Sequence, residues 1–260
     1  MTVYVGTSGW QYRHWLGRFY PRKPRVADDL AFYAERFQTV ELNGTFYKLP
    51  EAKTFADWAR RTPDDFVFAM KANRFLTHIK RLKEPHDAIE RMMGAAAKLG
   101  SKLGPVLVQL PPGFRCDVGR LRETLGAFAD ITPGTRVAFE FRDESWYTDD
   151  VRASLCAADA ALCIADRGSK LITPAWRTAE WGYVRFHEGR GRPPSCYGPG
   201  ALGSRARLIN DIFGAAEVWA YFNNDAHGCA LRDARTFARA CEREGLDVTR
   251  TPSPQDVRVG

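Results

Sequence analysis

The chain has 260 residues, 45% of them hydrophobic, enough to bury one full core, and its six cysteines contain no C-x-x-C pair. A zinc ribbon, an iron–sulfur cluster and a secreted disulfide framework are therefore not expected. A formal net charge of +7, with 29 of the 38 basic residues arginine, suits an anionic partner, although no dense basic block of the kind found in nucleic-acid tails is present.

The first strand, 3–7, precedes a long aromatic stretch, 9–24, carrying Trp10, Tyr12, Trp15, Phe19 and Tyr20. Leu30, Tyr33, Ala34 and Phe37 then recur at helical spacing ahead of a second strand, 38–43. Phe55 with Trp58 marks the next helix, 66–71 the third strand, and Ile89, Met92, Met93, Ala96 and Leu99 a helix that stops at Gly100. Strand 105–110 leads to the helix of Val118, Leu121, Leu125 and Phe128, and strand 136–142 to that of Val151 and Leu155. Strands 161–166 and 182–187 follow, then a Gly-, Pro- and Arg-rich segment, 188–203. Ala206, Ile209 and Phe213, strand 217–223, and Ala234, Phe237 and Cys241 before Gly245 complete the series, and the tail after Asp247 is expected to be irregular. Eight strands alternating with helices over this length predict a (β/α)8 TIM-type barrel. It would be a single domain over 1–260, with the long loops near 9–24 and 188–203 above its C-terminal mouth. The opening Met1-Thr2-Val3-Tyr4-Val5-Gly6 has no basic leader, and no run approaches the roughly 18 apolar residues of a membrane span. The expectation is a cytoplasmic protein with no membrane partner; nothing indicates an oligomeric partner.

Successive side chains of a strand alternate between faces, and seven of these strands end in a charged or amide group on one face. Glu41 and Asn43 close the second strand, Lys71 the third, Gln109 the fourth, Glu140 and Arg142 the fifth, Asp166 the sixth, Arg185 and His187 the seventh, and Asn223 the last. A buried polar group left unpaired costs roughly 2 to 7 kcal/mol, so their gathering at one end implies a ligand site. Glu41 and Glu140 are the candidate acid–base pair, with Lys71 and His187 as further catalytic candidates. Lys71 could form a Schiff base, but beside two glutamates it reads first as a charged partner. The glutamates stand on the second and fifth strands, not the fourth and seventh as in many barrel glycosidases, which weakens a sugar-directed reading. No H-x-H or H-E-x-x-H spacing exists, so no metal or cofactor is expected to be required. The alternative is magnesium held by Glu41, Glu140 and Asp166, against which Lys71, Arg142 and Arg185 offer competing neutralisation.

Phosphate is the favoured ligand chemistry. The stretch Gly189-Arg190-Gly191-Arg192 offers backbone amides and guanidiniums where barrels often hold a phosphate, with Arg142 and Arg185 pointing into the same mouth. Trp10, Tyr12, Phe46, Tyr47, Trp146 and Tyr147 follow strand ends and suit a base or sugar ring.

Six ordered motifs resemble the YecE-like family, a domain of unknown function. They are Val5-Gly6-Thr7-Ser8-Gly9-Trp10, Thr39-Val40-Glu41-Leu42-Asn43 with Phe46-Tyr47, Lys71-Ala72-Asn73-Arg74-Phe75-Leu76-Thr77-His78, Gln109-Leu110-Pro111-Pro112, Glu140-Phe141-Arg142 with Ser145-Trp146, and Tyr221-Phe222-Asn223-Asn224. The resemblance runs nearly end to end and implies a TIM-type barrel. Within its motifs, Arg74 and Asn224 join the ligand-binding candidates. It supplies no reaction, only an analogy with a barrel endonuclease that suggests nucleic-acid binding. Asp143 stands where the family commonly has histidine, which removes a proton shuttle. The expectation is a hydrolase-like enzyme acting on a phosphate-bearing small molecule or nucleic acid. The alternatives are a non-catalytic nucleic-acid-binding protein and, third, a sugar-directed hydrolase.

Overall fold

The computed structural model describes residues 1–21 and 29–258, so 22–24 of the expected aromatic stretch lie outside the described residues. In chain order the elements are β1 (Thr2–Thr7), α1 (Asp29–Arg36), β2 (Thr39–Leu42), α2 (Gly44–Tyr47), α3 (Ala52–Arg60), β3 (Val67–Lys71), α4 (Pro85–Ala96), β4 (Leu103–Gln109), α5 (Val118–Ile131), β5 (Val137–Glu140), α6 (Asp149–Ala157), β6 (Ala161–Leu162), β7 (Ile164–Arg167), β8 (Lys170–Leu171), β9 (Gly182–Glu188), α7 (Pro199–Phe213), β10 (Val218–Phe222), α8 (Cys229–Arg243) and β11 (Asp247–Val248). The strands form one curled, mostly parallel sheet in the order β6-β5-β4-β3-β2-β1-β10-β9-β7, with β8 antiparallel on β7. All eight expected strands are present, but the sixth breaks at Cys163. Its first part pairs with β5 and its second with β9. At the break itself the Cys163 amide donates to Phe139 O at 2.8 Å.

The two faces of the sheet differ as strand alternation requires. Val3, Val5, Val40, Phe68, Met70, Val106, Val108, Phe139, Val184 and Phe222 face the helices, whose buried stripes are those read from the sequence: Leu30, Tyr33 and Ala34 on α1, Ile89, Met92 and Met93 on α4, Leu121 and Leu125 on α5. Asp117 and Thr148 cap α5 and α6 by accepting from the Arg120 and Val151 amides. Inside the curl, small side chains on one side (Ala69, Ala138, Cys163, Ala165) face large ones on the other (Trp181, Tyr183, Trp219, Tyr221), so the interior is filled and forms no pore.

Three loop expectations are corrected. The 9–21 part of the aromatic stretch is packed down rather than a free loop, because Trp15, Phe19 and Tyr20 are buried and pack against Tyr33, Phe32 and Phe37 of the α1 region. The 188–203 segment is tied down by a disulfide between Cys196 and Cys229, a pairing the cysteine spacing does not predict, and its last residues already belong to α7. The tail after Asp247 is regular where it begins: β11 pairs with the start of β1, and Thr249 N donates to Val3 O at 3.0 Å. Among the described residues no helix is long and apolar enough to cross a membrane.

Gly6 lies where β1 and β2 converge, and a Cβ there would stand 2.4 Å from the Thr39 carbonyl oxygen. Gly6→Ala is expected to lower unfolding stability by about 1 to 3 kcal/mol in urea titrations, because backbone must move to admit the methyl. An unchanged midpoint would show that the approach of these strands is not tight.

Candidate functional site

The C-terminal strand ends carry a layered ion network. Arg185 on β9 is fully buried and bridges two glutamates that are themselves sealed from solvent: its Nη2 donates to Glu41 Oε1 at 2.8 Å and its Nη1 to Glu140 Oε2 at 2.7 Å. Glu41 takes a further bond from Tyr183 OH at 2.7 Å, and Glu140 is also paired with Arg142 and bonded to His187 Nε2 at 2.8 Å. Burial alone would raise both carboxyls. Arg185, with Tyr183 at Glu41 and His187 and Arg142 at Glu140, outweighs it and holds Glu41 below, and Glu140 well below, the ordinary carboxylate value. Neither glutamate is therefore the raised-pKa acid that an acid–base pair needs. Both are fixed anions.

Two asparagines stand beside His187. Asn43 Nδ2 donates to Asn223 Oδ1 at 3.3 Å, which turns the Asn223 amide nitrogen toward His187 Nδ1 at 3.4 Å. His187 Nε2 lies 2.8 Å from Glu140 Oε1, to which it would donate, and 2.9 Å from Arg142 Nη2, from which it would accept, so its tautomer follows which of the two it serves. Burial first, with Arg185 and Arg142 adding to it, lowers the His187 pKa despite the carboxylate beside it.

Lys71 ends β3 with Nζ 4.4 Å from the centroid of the Phe46 ring, and among the described residues it makes no ion pair. Burial, then Arg185, draws its pKa down to about 8 although Glu41 and Glu140 oppose the shift. Beside the network an opening of about 440 Å³ has Gln109, Arg142, Asp143, Glu144, Tyr147 and Arg167 among its lining residues. Arg142 is 14% exposed at its edge, and its buried Nε has no hydrogen-bond partner among the described residues. Asp143 is turned back on Ser145, accepting from its amide at 3.1 Å and its hydroxyl at 2.6 Å.

Other expected members do not converge. Asp166 lies on the helix-facing side, where Tyr197 OH donates to it at 2.8 Å and Arg205 Nε at 2.7 Å; its inward neighbours are Cys163 and Ala165. The three carboxylates considered for magnesium are thus not assembled. Trp146 is fully buried, stacked on Phe141 with its indole N–H on Phe114 O at 2.6 Å. Trp10 is buried against Trp58. Asn224 is buried and donates to Ser195 O and Asp233 Oδ2 as a structural tie. Arg190 is exposed, and the amides expected to cradle a phosphate are spent: Gly189 N on Ser195 O, Arg190 N on Ser169 Oγ, Gly191 N on Cys196 O. A Cβ at Gly189 would stand 2.2 Å from that Cys196 oxygen, so the loop folds onto itself where only glycine fits. Tyr47, 74% exposed, and Arg74 stand on the rim. Sequence reasoning missed Tyr183 and Arg167; Tyr183 has the parity of Arg185 and could have been found by it.

A buried ion network at the C-terminal strand ends of a curled, helix-wrapped sheet is an arrangement of TIM-barrel-like α/β proteins, and SacUVDE shares that fold at a TM-score of 0.54 and 7% identity over 94% of this chain and 98% of its own. The chain belongs to the family described as Protein of unknown function DUF72, which it matches over residues 4–257, so the YecE-like resemblance is borne out. A DUF72 family protein of Thermotoga maritima superposes with a TM-score of 0.80 at 27% identity, covering 93% of this chain and 100% of that one. UPF0759 protein YunF of Bacillus subtilis (strain 168) is 32% identical over 155 residues, 56% of this chain and 52% of YunF. UPF0759 protein YecE of Escherichia coli (strain K12) is 29% identical over 133 residues, 51% of this chain and 45% of YecE. These matches span about half the length of either relative.

The network predicts an acid limit to stability. Because the folded state holds both glutamates below the ordinary 4.5, the unfolded chain takes up protons first as pH falls, so the stability they contribute is present above about 4.5 and drains below it. In Glu140→Gln, urea unfolding should show a loss of about 3 to 5 kcal/mol at neutral pH, since Arg185 loses a partner, and a shallower decline in acid. An acid slope equal to that of the unaltered protein would contradict this assignment.

Proposed function

We propose that the chain is a hydrolase-like enzyme that takes a phosphate-bearing ligand, a nucleotide or a stretch of nucleic acid, at the C-terminal end of its sheet. We further infer that the sheet closes there as a full (β/α)8 barrel through the β6–β7 segment, a reading supported by its pairing with β5 on one part and β9 on the other. One observation carries the ligand assignment. Arg185 occupies the inward oxygens of Glu41 and Glu140, and at the opening Arg142, which also pairs with Glu140, and Arg167 present guanidiniums, with an unpartnered donor at Arg142 Nε. In this reading Arg142 and Arg167 hold the anion and Gln109 orients a neutral oxygen. The lone pair of His187 Nδ1, loosely held by Asn223, accepts a proton from the attacking water. Glu41 and Glu140 act as fixed anions that position the cations, without exchanging protons with the ligand. No metal or cofactor is required in this reading.

A second reading, a non-catalytic nucleic-acid-binding protein, draws on the exposed Tyr47, Phe75 and Arg74 at the rim, flat and cationic surfaces on which bases could stack. The barrel endonuclease analogy and the SacUVDE likeness lend it fold alone. A sugar-directed hydrolase is not favoured, since it needs a carboxylic acid held protonated and both glutamates are pulled the other way.

Calorimetric titration with inorganic phosphate, AMP and a single-stranded oligonucleotide tests the ligand class. Affinity should fall with salt and drop about ten- to a hundredfold in Arg142→Ala, and absence of binding by all three at low salt would overturn both readings. Cleavage of whichever of these is turned over should fall by about a hundredfold or more in His187→Ala, and undiminished cleavage would remove His187 from the mechanism.

A further inference from the structure

The aromatic stretch adds nothing to the strand-end opening, yet it walls a second cavity of about 450 Å³ that shares no described lining residue with the first. Trp10, Tyr12 and Arg13 form one side of it and Trp58 and Arg61, at the end of α3, the other, with Asp29 of α1 also lining it. Trp10 is the informative member. Its ring is 5% exposed and meets Trp58 edge-on at 87°, the centroids 5.3 Å apart. Buried indoles ordinarily find an acceptor, and in this chain Trp15 donates to Asp225 Oδ1 at 2.8 Å, Trp146 to Phe114 O at 2.6 Å and Trp181 to Asp159 O at 3.2 Å. Trp10 Nε1 has no acceptor among the described residues, although the Trp10 carbonyl is taken by Tyr20 OH at 2.7 Å. It differs from the Trp219 N–H, which is unpartnered but sealed: the Trp10 nitrogen is not sealed, and the ring lines the cavity.

Two guanidiniums stand beside this N–H. Arg13 is exposed and makes no ion pair among the described residues, and Arg61 donates only to Asp57 Oδ2, at 3.3 Å. We propose that the cavity binds a planar aromatic anion, an aryl carboxylate or aryl phosphate, whose ring lies against Trp10, Tyr12 and Trp58 and whose oxygens accept from the Trp10 N–H and the Arg13 guanidinium. A neutral ring would leave the indole N–H without an acceptor, and an inorganic anion would leave the aromatic walls in water, so the two halves act together. The donors are held in place beforehand, because Tyr12 OH donates to Ser8 O at 2.7 Å and the chain beyond Arg13 is anchored by the buried Trp15. This site is independent of the strand-end ligand, and neither reading stands or falls with the other.

The indole N–H of Trp10, assigned among the seven tryptophans in nitrogen-15 correlation spectra through Trp10→Phe, reports on the cavity directly. Benzoate or phenyl phosphate should shift it saturably, with an affinity at least about tenfold above that of phenol or inorganic phosphate. A shift by benzoate alone makes the ligand class carboxylate and one by phenyl phosphate alone makes it phosphate; either upholds the pairing of ring and anion. In calorimetry the bound aromatic anion should lose about tenfold or more in Arg13→Ala, an exposed position, and in Trp10→Phe, which keeps the ring and removes the N–H. A Trp10 resonance unmoved by both aromatic anions, or moved as readily by inorganic phosphate or phenol, would overturn the proposal. Full affinity retained in both variants would do the same.

Discussion

One buried guanidinium organises this molecule. Arg185 reaches from β9 to carboxylates on β2 and β5, strands far apart in the chain, and joins them inside a sheet whose interior is otherwise apolar. Taking such charges out of water carries a penalty of several kcal/mol per ion, recovered only when geometry is good and the remaining lone pairs are satisfied. Here Tyr183, His187 and Arg142 complete it for the carboxylates, while the buried Nε of Arg185 has no hydrogen-bond partner among the described residues. A hydrophobic residue in place of each member would fold with less demand, so the network is better explained by what it holds in position than by the stability it gives.

What it holds is a set of groups in unusual states. With both glutamates pinned as anions, Arg142 is fixed at the edge of the opening, His187 is kept neutral by burial and by the arginines beside it, and Lys71 is left without a seat. Each state follows from a neighbour's commitment. The chemistry available at the mouth is therefore that of a neutral imidazole, a depressed lysine and cationic donors, rather than that of two carboxylic acids. The loops that looked most like ligand machinery serve instead to close the surface: the 188–203 segment is bonded to itself and stapled to α8, and the aromatic stretch packs on α1.

The fold was legible because alternation and helical spacing are local properties, and each strand and helix stripe lies within a few residues of where spacing puts it. The inward positions of Glu41, Lys71, Glu140, Arg142, Arg185 and His187 follow from the same rule. Asp166 failed because both faces of its strand are apolar and the break at Cys163 is invisible to parity, so the wrong face was chosen. The protonation states were not legible, since they depend on which donors meet which oxygens across more than a hundred residues of chain. The Gly189–Arg192 loop misled for a related reason: composition suggests free amides, but only the return of the chain through Ser195 and Cys196 shows where those amides are spent.

Carbon-13 NMR titration of side-chain-labelled glutamates, with Glu41 and Glu140 assigned through their glutamine variants, tests the central claim most directly. The account predicts two carboxyl resonances that remain those of ionised groups through neutrality and titrate below the ordinary 4.5. A buried carboxyl at either position that titrates near or above pH 7 would show that Arg185 does not hold both as anions, and the derived states of His187 and Lys71 would fall with it.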